Sequence, residues 1–183
     1  MKTTDLATFD NSSFSIQANL FKRLTWYYFN LVILKSSYFP FVKAKSIFLS
    51  MFGSKVGKGI VIKPAISIKY PWLLSIGNHT WIGENVWIDN LVQVSIGNHV
   101  CISQGAMLLT GNHNYKKSSF DLVTGEIFLE DGVWIGAKAI VCPGVRCGSH
   151  SVLTVGSVAT HDLEPYGIYQ GNPAVLIKKR EIN

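Results

Sequence analysis

An aliphatic or small residue recurs every six positions through much of the chain. In the C-terminal half these positions are Leu129, Ile135, Val141, Cys147, Leu153 and Ala159. The same phase appears earlier at Ile62, Ile68, Ile76, Ile82, Ile88, Ile96, Ile102 and Leu108. A period of six fits neither an α-helix nor an alternating strand. It is typical of a solenoid in which each hexapeptide supplies one strand and one turn, and three hexapeptides form a triangular coil.

The repeat positions predict the core of an all-β protein, a parallel β-helix. Their side chains would point into the prism and stack about 4.8 Å apart, the spacing between hydrogen-bonded strands. Two steps of eight residues, 68 to 76 and 88 to 96, indicate small insertions at corners. Because a β-helix leaves strand edges open at both ends, each end needs a cap. We therefore expect a helical, aromatic-rich N-terminal cap over 1–50, the β-helix over 51–166 and a C-terminal tail over 167–183.

The N-terminal cap is predicted to contain one or two helices, with the second from Phe41 to Phe52. Two interpretations of its aromatic and basic side chains stay open. The helices pack on the prism or on a neighbouring subunit, or residues 21–52 make a peripheral membrane contact. The densest apolar stretch, Leu24 to Leu34, is shorter than the about 20 residues that cross a bilayer.

Composition and charge narrow the class of protein. The chain is 48% hydrophobic and 15% charged, which excludes a disordered chain. Its net charge of +6 suits an anionic ligand, such as a phosphorylated cofactor, a nucleotide sugar, a membrane surface or nucleic acid. No nucleic-acid reader motif accompanies the basic residues, so no nucleic-acid partner is expected. The three cysteines lack paired spacing and no secretory signal is found, which favours a cytoplasmic location. Within the cytoplasm, the protein could lie at the inner face of the membrane.

The repeat stops between Leu108 and Ile127, where residues 110–126 form a polar insertion. A solenoid that interrupts its repeat usually builds a site there. His113 opens this loop, and a neutral imidazole could take a proton from an acceptor hydroxyl or amine. His79, His99 and His150 occupy one repeat phase and are interpreted as corner residues, whereas the role of His161 stays open.

Further motifs resemble the hexapeptide-repeat acyltransferases, the family of galactoside, maltose and nodulation acetyltransferases. The resemblance rests on the hexapeptide run, His113 in its loop and the segment Gly171 to Ala174, and it covers about residues 50 to 180. Residues 52–60, 68–72 and 89–90, with the aromatic N-terminal segment, are similar to a subgroup that acts in colanic acid biosynthesis.

The resemblance implies a left-handed β-helix, a homotrimer with sites between neighbouring prisms, acetyl-CoA as cosubstrate and no metal. His113 matches the catalytic histidine, although Asn112 separates it from Gly111 where the sugar acetyltransferases have Gly-His. Asp89 stands where those enzymes carry an acceptor-binding Asn, and Asp89 and Asn90 are the predicted acceptor-binding residues. The predicted cofactor-binding residues are Trp134, Ala137, Val155, Thr160, His161 and Lys178. Trp134 fits equally well as a structural aromatic residue at a coil corner, and Lys178 as part of a solvated basic tail.

The predicted function is therefore acetyl-CoA-dependent O-acetylation of a sugar hydroxyl in bacterial exopolysaccharide or surface-glycan synthesis. The sugar could be free, nucleotide-linked or lipid-linked. Transfer would be direct, with His113 as general base and no covalent enzyme intermediate, because no Gly-x-Ser-x-Gly elbow is present. The alternatives are N-acetylation of an amino-sugar nucleotide and a non-catalytic β-helix scaffold. A zinc hydratase needs three converging His ligands, which these His spacings disfavour.

Overall fold

A three-sided parallel β-helix makes up most of the chain in the computed structural model, which describes residues 3–12, 14–39 and 41–183. The parts of the N-terminal cap prediction that fall on Met1, Lys2, Ser13 and Pro40 lie outside the described residues. The strands, in chain order, are β1 (Lys55–Val56), β2 (Val61–Ile62), β3 (Ser67–Ile68), β4 (Leu74–Ile76), β5 (Trp81–Ile82), β6 (Trp87–Asp89), β7 (Val94–Ile96), β8 (Cys101–Ile102), β9 (Met107–Leu109), β10 (Gly111–His113), β11 (Leu122–Thr124), β12 (Ile127–Leu129), β13 (Trp134–Ile135), β14 (Ile140–Val141), β15 (Arg146–Cys147), β16 (Val152–Leu153), β17 (Val158–Ala159), β18 (Gly167–Gly171) and β19 (Ala174–Lys179).

Successive strands go in turn to three sheets. Sheet A has the order β1-β4-β7-β12-β15, sheet C the order β17-β14-β9-β6-β3, and sheet B runs β19-β18-β16-β13-β8-β5-β2. Three strands therefore complete one coil, and each strand pairs in parallel with its counterparts in the coils above and below. In the first coils the pairs are twenty residues apart, as in Ile62 with Ile82 and Ile68 with Ile88.

The predicted repeat positions form the core. Every one of them, from Ile62 to Leu108 and from Leu129 to Ala159, is buried, and they belong to one continuous cluster. The small residues at the fifth position of the repeat, such as Ala139 and Ser157, are buried as well. A bulkier side chain there would overfill the corner, so the sequence pattern follows from close packing.

The corner between sheets A and B contains the three histidines that were interpreted as corner residues. His79, His99 and His150 have positive φ angles of 56°, 55° and 60°. The rings of His79 and His99 stack with centroids 5.2 Å apart. In the next coil the corner residue is Gly132, with φ +71°, and a Cβ there would collide with the His150 ring. Glycine is needed at that corner for backbone conformation and for space.

Two helices cover the first coil. α1 (Leu20–Phe29) begins at Asn19, whose side chain accepts a hydrogen bond from the N–H of Lys22, and it continues as a π-helical turn over Asn30–Leu34. α2 (Val42–Met51) lies within the segment predicted from Phe41 to Phe52. Short 3₁₀ turns occur at Leu6–Thr8 and Pro71–Leu73. No helix in the described ranges has the length and apolar character to cross a membrane.

Specific contacts fix these helices to the prism. The indole N–H of Trp26 donates to the carbonyl oxygen of Ile68 at 3.0 Å. Phe29 packs against Phe48 and Phe52, with ring centroids 5.2 Å apart in both pairs, and so joins α1 to α2. The outer side of α1 exposes Phe21, Tyr27 and Tyr28.

The C-terminal segment, which was predicted to be a tail, forms two further strands. β18 continues sheet B by pairing with β16, and β19 folds back on β18 in antiparallel orientation. Because the last coil would otherwise leave its strand edge open, this hairpin caps sheet B at its C-terminal end.

Candidate active site

The insertion of residues 110–126 forms a hairpin at the corner between sheets C and A. It leaves the prism after β9 and returns at β12, and its strands β10 and β11 pair in antiparallel orientation with His113 opposite Leu122. Thr110 fixes the base of this loop, since its hydroxyl donates to the carbonyl oxygen of Asp89 at 2.9 Å and accepts from the N–H of Leu91 at 2.8 Å. The loop is thereby attached to the preceding coil beside Asp89.

The imidazole of His113 has a defined tautomer. Its Nδ1 lies 2.8 Å from the carbonyl oxygen of Phe120. A carbonyl oxygen can only accept a hydrogen bond, so Nδ1 carries a proton, and in the neutral imidazole Nε2 keeps its lone pair. The side chain of His113 is half-buried. A general base needs such an orientation of one ring nitrogen, with the other left to accept a proton.

The ring of Phe120 fixes the plane of the imidazole. The two rings are nearly parallel, at 7°, with centroids 4.4 Å apart. Phe9, from the N-terminal segment, lies on another side of the imidazole at 5.9 Å between centroids. Neither Phe120 nor Phe9 was predicted, because aromatic residues seven and 104 positions away from His113 give no periodic signal.

The N-terminal segment packs on the insertion. The N–H of Asp5 donates to the carbonyl oxygen of Ser118 at 2.8 Å. Within the loop, Lys117 pairs with Asp121 at 3.0 Å. Hydrogen bonds from Ser119 and Lys117 lower the pKa of the Asp121 carboxyl below its usual value, so the loop holds a carboxylate that ties its two sides together. These contacts restrict the hairpin that carries His113.

Asp89 ends β6, one coil before the insertion and at the same corner. Its carboxylate lies 2.9 Å from the ammonium group of Lys69. The two residues are twenty positions apart, which is the length of one coil here, as Ser67 opposite Trp87 shows. Lys69 was missed, although the spacing of the repeat was sufficient to place it beside Asp89.

A cavity of about 420 Å³ lies beside Asp89, between α1 and the outer face of sheet C. This volume is within the range of small-molecule sites, about 300–1,000 Å³. Side chains from the helix, the π-helical turn and sheet C line it, among them Arg23, Asn30, Lys35, Lys69, Trp87 and Asp89. Of these residues only Asp89 was predicted to be part of a site, because the cavity depends on where α1 docks.

Asn90 does not reach this cavity. Its side chain is buried, and its amide nitrogen donates to the carbonyl oxygens of Tyr70 at 2.6 Å and Leu73 at 3.1 Å. Its amide oxygen accepts from the N–H of Tyr70 at 3.1 Å. These bonds use the amide to hold the corner that precedes β4. The amide of Asn90 is thus engaged in the fold, and its predicted role in acceptor binding stays a prediction.

Four of the predicted cofactor-binding residues lie on sheet B or on its corner with sheet C. Ala137 and Val155 occupy that corner in consecutive coils, where the N–H of Gly156 donates to the carbonyl oxygen of Ala137 at 2.9 Å. Trp134 is 46% exposed on sheet B, and Lys178 is exposed on β19. Most of this surface is open, with Val155 71% exposed.

The remaining two, Thr160 and His161, lie at the corner between sheets C and A, after β17. The hydroxyl of Thr160 is 2.9 Å from Nδ1 of His161, and both residues are exposed. They share this corner with Asp89 and the insertion, and β17 separates them from the first group. The structure thus does not bring the six predicted residues together on one edge of the prism.

The three cysteines are free and lack the character of nucleophiles. Burial raises the pKa of the thiols of Cys101, Cys142 and Cys147, so each stays protonated near neutral pH. Among the residues that the structure describes, no group of three or more His, Cys, Asp or Glu side chains is arranged to hold a metal ion.

The chain is similar to known proteins of one family, although no family model matches it. The chain is 32% identical to WcaF of Escherichia coli, assigned to colanic acid biosynthesis as an acetyltransferase, over 93% of this chain and 97% of WcaF. It is 31% identical to the galactoside O-acetyltransferase of Escherichia coli, over 77% of this chain and 70% of that protein.

Solved structures of acetyltransferases share the fold of this chain. A hexapeptide-repeat acetyltransferase from Vibrio cholerae, in complex with acetyl-CoA, has a TM-score of 0.76 at 25% identity and covers 88% of both chains. A galactoside acetyltransferase in complex with CoA has a TM-score of 0.77 at 25% identity, over 87% of this chain and 81% of its own. The chain therefore belongs to the hexapeptide-repeat acetyltransferases. It is an acyltransferase with the left-handed parallel β-helix of that family, and the predicted fold class and enzyme class are confirmed.

Proposed function

We propose that this acyltransferase moves the acetyl group of acetyl-CoA to a sugar hydroxyl in bacterial exopolysaccharide or surface-glycan synthesis, with His113 as general base. The observation that carries the proposal is the 2.8 Å hydrogen bond between Nδ1 of His113 and the carbonyl oxygen of Phe120. It leaves Nε2 as the nitrogen that can accept a proton from a bound hydroxyl.

The reaction is a direct transfer. Nε2 of His113 takes the hydroxyl proton while the acceptor oxygen bonds to the thioester carbonyl carbon. The carbon–sulfur bond then breaks, and CoA leaves as its thiol after the protonated imidazole of His113 returns that proton to the sulfur. No cysteine nucleophile is needed, which agrees with the raised pKa values of all three thiols.

The acceptor would bind in the cavity beside Asp89, at the same corner as the insertion. The carboxylate of Asp89 can accept a hydrogen bond from a sugar hydroxyl, and Trp87 supplies an apolar ring face to the same cavity. The relatives named above are assigned to colanic acid biosynthesis and to galactoside O-acetylation, which supports a glycan hydroxyl as the acceptor.

We further propose that the active form is a homotrimer that binds acetyl-CoA between neighbouring prisms. The predicted cofactor-binding residues lie at two corners, and a corner of one chain can face the other corner of a second chain. Trp134, Ala137, Val155 and Lys178 would then meet Thr160, His161 and the His113 loop of the partner chain. The 57% exposure of Trp81 and the 46% exposure of Trp134 on sheet B support such an interface, because aromatic residues are enriched at interfaces.

Acetyl-CoA as donor and a glycan precursor as acceptor would place the reaction in the cytoplasm, at the inner face of the membrane. The peripheral contact, one of the two interpretations left open for residues 21–52, is part of this proposal, with an anionic lipid surface as the partner. No Asp or Glu occurs between Asp10 and Glu84, and α1 exposes the aromatic rings of Phe21 and Tyr28. We expect the protein to cosediment with phosphatidylglycerol vesicles and not with phosphatidylcholine vesicles. If the trimer does not cosediment, this surface of α1 would instead contact a second copy of the chain.

The experiment that tests the activity is acetyl-CoA turnover, followed as released thiol, with a panel of free and phosphate-linked sugars. For His113→Ala we expect a loss of about 10²-fold or more, the scale of a lost general base. Tyr115→Ala is the matched control, because Tyr115 lies in the same loop and is 77% exposed. Equal activity of the His113 variant would remove His113 from the chemistry. Faster turnover with amino-sugar acceptors than with hydroxyl acceptors would favour N-acetylation. A protein that does not bind CoA would favour a non-catalytic scaffold.

A further inference from the structure

The cavity beside Asp89 carries an excess of positive charge. Arg23, Lys35 and Lys69 line it, and Asp89 is the acidic residue on its wall. Asp89 pairs with Lys69 at 2.9 Å. Among the described residues neither Arg23 nor Lys35 forms a salt bridge, so their charges are available to a ligand. Such a pair of unmatched cations favours a ligand that carries negative charge.

A second feature of the cavity is an unsatisfied polar atom. Asn30 is 8% exposed and lines the cavity, and its Oδ1 has no hydrogen-bond partner in the described structure. A buried amide oxygen without a partner is destabilising, and a ligand hydroxyl can donate the missing hydrogen bond. Asn30 opens the π-helical turn, and the N–H of Lys35 closes that turn on the carbonyl oxygen of Asn30 at 2.8 Å. The π-helical turn therefore brings the unpaired amide oxygen of Asn30 and the ammonium group of Lys35 to one cavity.

The walls of the cavity are rigid and partly aromatic. The bond from Trp26 to the carbonyl oxygen of Ile68 holds α1 against β3. Trp72 stacks on Tyr70 with centroids 5.2 Å apart, and the ammonium group of Lys22 lies 4.8 Å from the centre of the Trp72 ring. These contacts occupy the ring of Trp72, so the aromatic face left for the apolar face of a sugar ring or a base is that of Trp87, which lines the cavity and is 42% exposed.

The phosphates of CoA are a poor match for this cavity. Its lining comes from α1, the π-helical turn and strands β3 and β6 of the first two coils. The exposed Lys178 and the corner with Ala137 and Val155 belong to the last coils, at the other end of the prism. An anion at Arg23 and Lys35 would thus be a part of the acceptor.

We propose that the acceptor is a sugar linked through phosphate or diphosphate, and that Arg23 and Lys35 contact its phosphate oxygens. This inference rests on the proposed function and specifies its substrate class. Asp89 and Asn30 bind hydroxyls of the sugar ring, and the guanidinium group of Arg23 supplies the paired donors that suit phosphate. A nucleoside diphosphate and a lipid diphosphate share this chemistry, so either carrier can present the sugar.

The test combines binding and kinetics in wild type and in the double variant Arg23→Ala/Lys35→Ala. Isothermal titration calorimetry would compare the 1-phosphates of glucose, galactose and fucose with the methyl glycosides of the same sugars. We expect wild type to bind at least one 1-phosphate about tenfold or more tightly than its methyl glycoside, and the double variant to lose that preference. UDP-linked and farnesyl-diphosphate-linked forms of the preferred sugar then identify the carrier through their KM values.

Lys43→Ala is the matched control, because Lys43 is an exposed cation of α2 that does not line the cavity. Equal affinity of wild type for phosphorylated and neutral sugars, or binding of none of the 1-phosphates, would overturn the inference. A rise in the KM for acetyl-CoA in the double variant would also overturn it, by assigning the cations to the donor. In each case His113-dependent acetylation of a neutral sugar would leave the proposed function standing.

Discussion

The imidazole of His113 is held by a single residue in two ways. The carbonyl oxygen of Phe120 lies 2.8 Å from Nδ1, and the ring of the same residue lies parallel to the imidazole at 4.4 Å between centroids. The hydrogen bond selects the tautomer, and the stack sets the plane of the ring. Phe120 has a positive φ of 53°, an uncommon conformation for an aromatic residue, and the hairpin between β10 and β11 maintains it.

Phe120→Leu tests whether the stack positions His113 as the proposed general base. The backbone carbonyl remains, so the tautomer is kept, but the imidazole loses its parallel face. We expect kcat to fall about 10-fold to 10²-fold, since small misplacements of a catalytic group carry losses of that order. The KM for acetyl-CoA should stay within a factor of about two in steady-state kinetics. Phe120→Tyr, which keeps the ring, should restore kcat; a Leu variant with wild-type kcat would show that the stack is dispensable.

Asn90→Ala separates a structural role from an acceptor-binding role. The change leaves the buried carbonyl oxygens of Tyr70 and Leu73 without the amide that satisfies them. We expect the free energy of unfolding in urea to fall by about 2–4 kcal/mol, because buried polar groups lose their partners. The KM for the acceptor, measured where the variant is folded, should not change. An unaltered stability with a raised acceptor KM would return Asn90 to the binding site.

Lys45 gives a prediction for the dependence of stability on pH. Its side chain is buried in α2, and its ammonium group donates to the carbonyl oxygen of Lys63 at 3.0 Å. Burial lowers the pKa of Lys45 below the usual 10.5. At pH values between the lowered pKa of Lys45 in the folded chain and its pKa in the unfolded chain, the unfolded chain binds more protons than the folded one. The contribution of Lys45 to the free energy of unfolding therefore rises with pH in that window.

In Lys45→Met this titration is absent. The difference in unfolding free energy between Lys45→Met and wild type should shift in favour of wild type as the pH rises toward 10.5, measured by urea denaturation at several pH values. Lys43→Met, at an exposed position of the same helix, is the control and should give a constant difference. Parallel curves for Lys45→Met and wild type would show that the buried ammonium group does not titrate in this range.

Lys178 and Lys179 are adjacent on β19 and form a matched pair for the donor site. Lys179 is engaged with Glu164 at 2.8 Å, whereas Lys178 has no salt-bridge partner among the described residues. If Lys178 contacts a CoA phosphate, Lys178→Ala should raise the KM for acetyl-CoA about 5-fold to 10-fold with little change in kcat. The effect should shrink with a 3′-dephospho donor if that phosphate is the contact. An equal effect of Lys179→Ala would indicate general electrostatics.

Much of the fold was predictable because the repeat is local. An aliphatic side chain at every sixth position satisfies the packing of one coil on the next, so the period alone identifies the residues that point inward, as Ile68 and Ile88 do. The same spacing would have paired Lys69 with Asp89. The break in the repeat marked the insertion and drew attention to His113.

The sequence by itself determined the solenoid, its core and the position of the loop that carries His113. Only the tertiary structure decided what surrounds those residues. Phe120 reaches the imidazole through the hairpin, Asn90 turns inward to its carbonyl partners, and the cavity beside Asp89 exists because Trp26 anchors α1 to β3. The physical reason is that the repeat fixes which side chains face the prism axis. Contacts on the outside of the prism depend on how non-repeating segments pack against it.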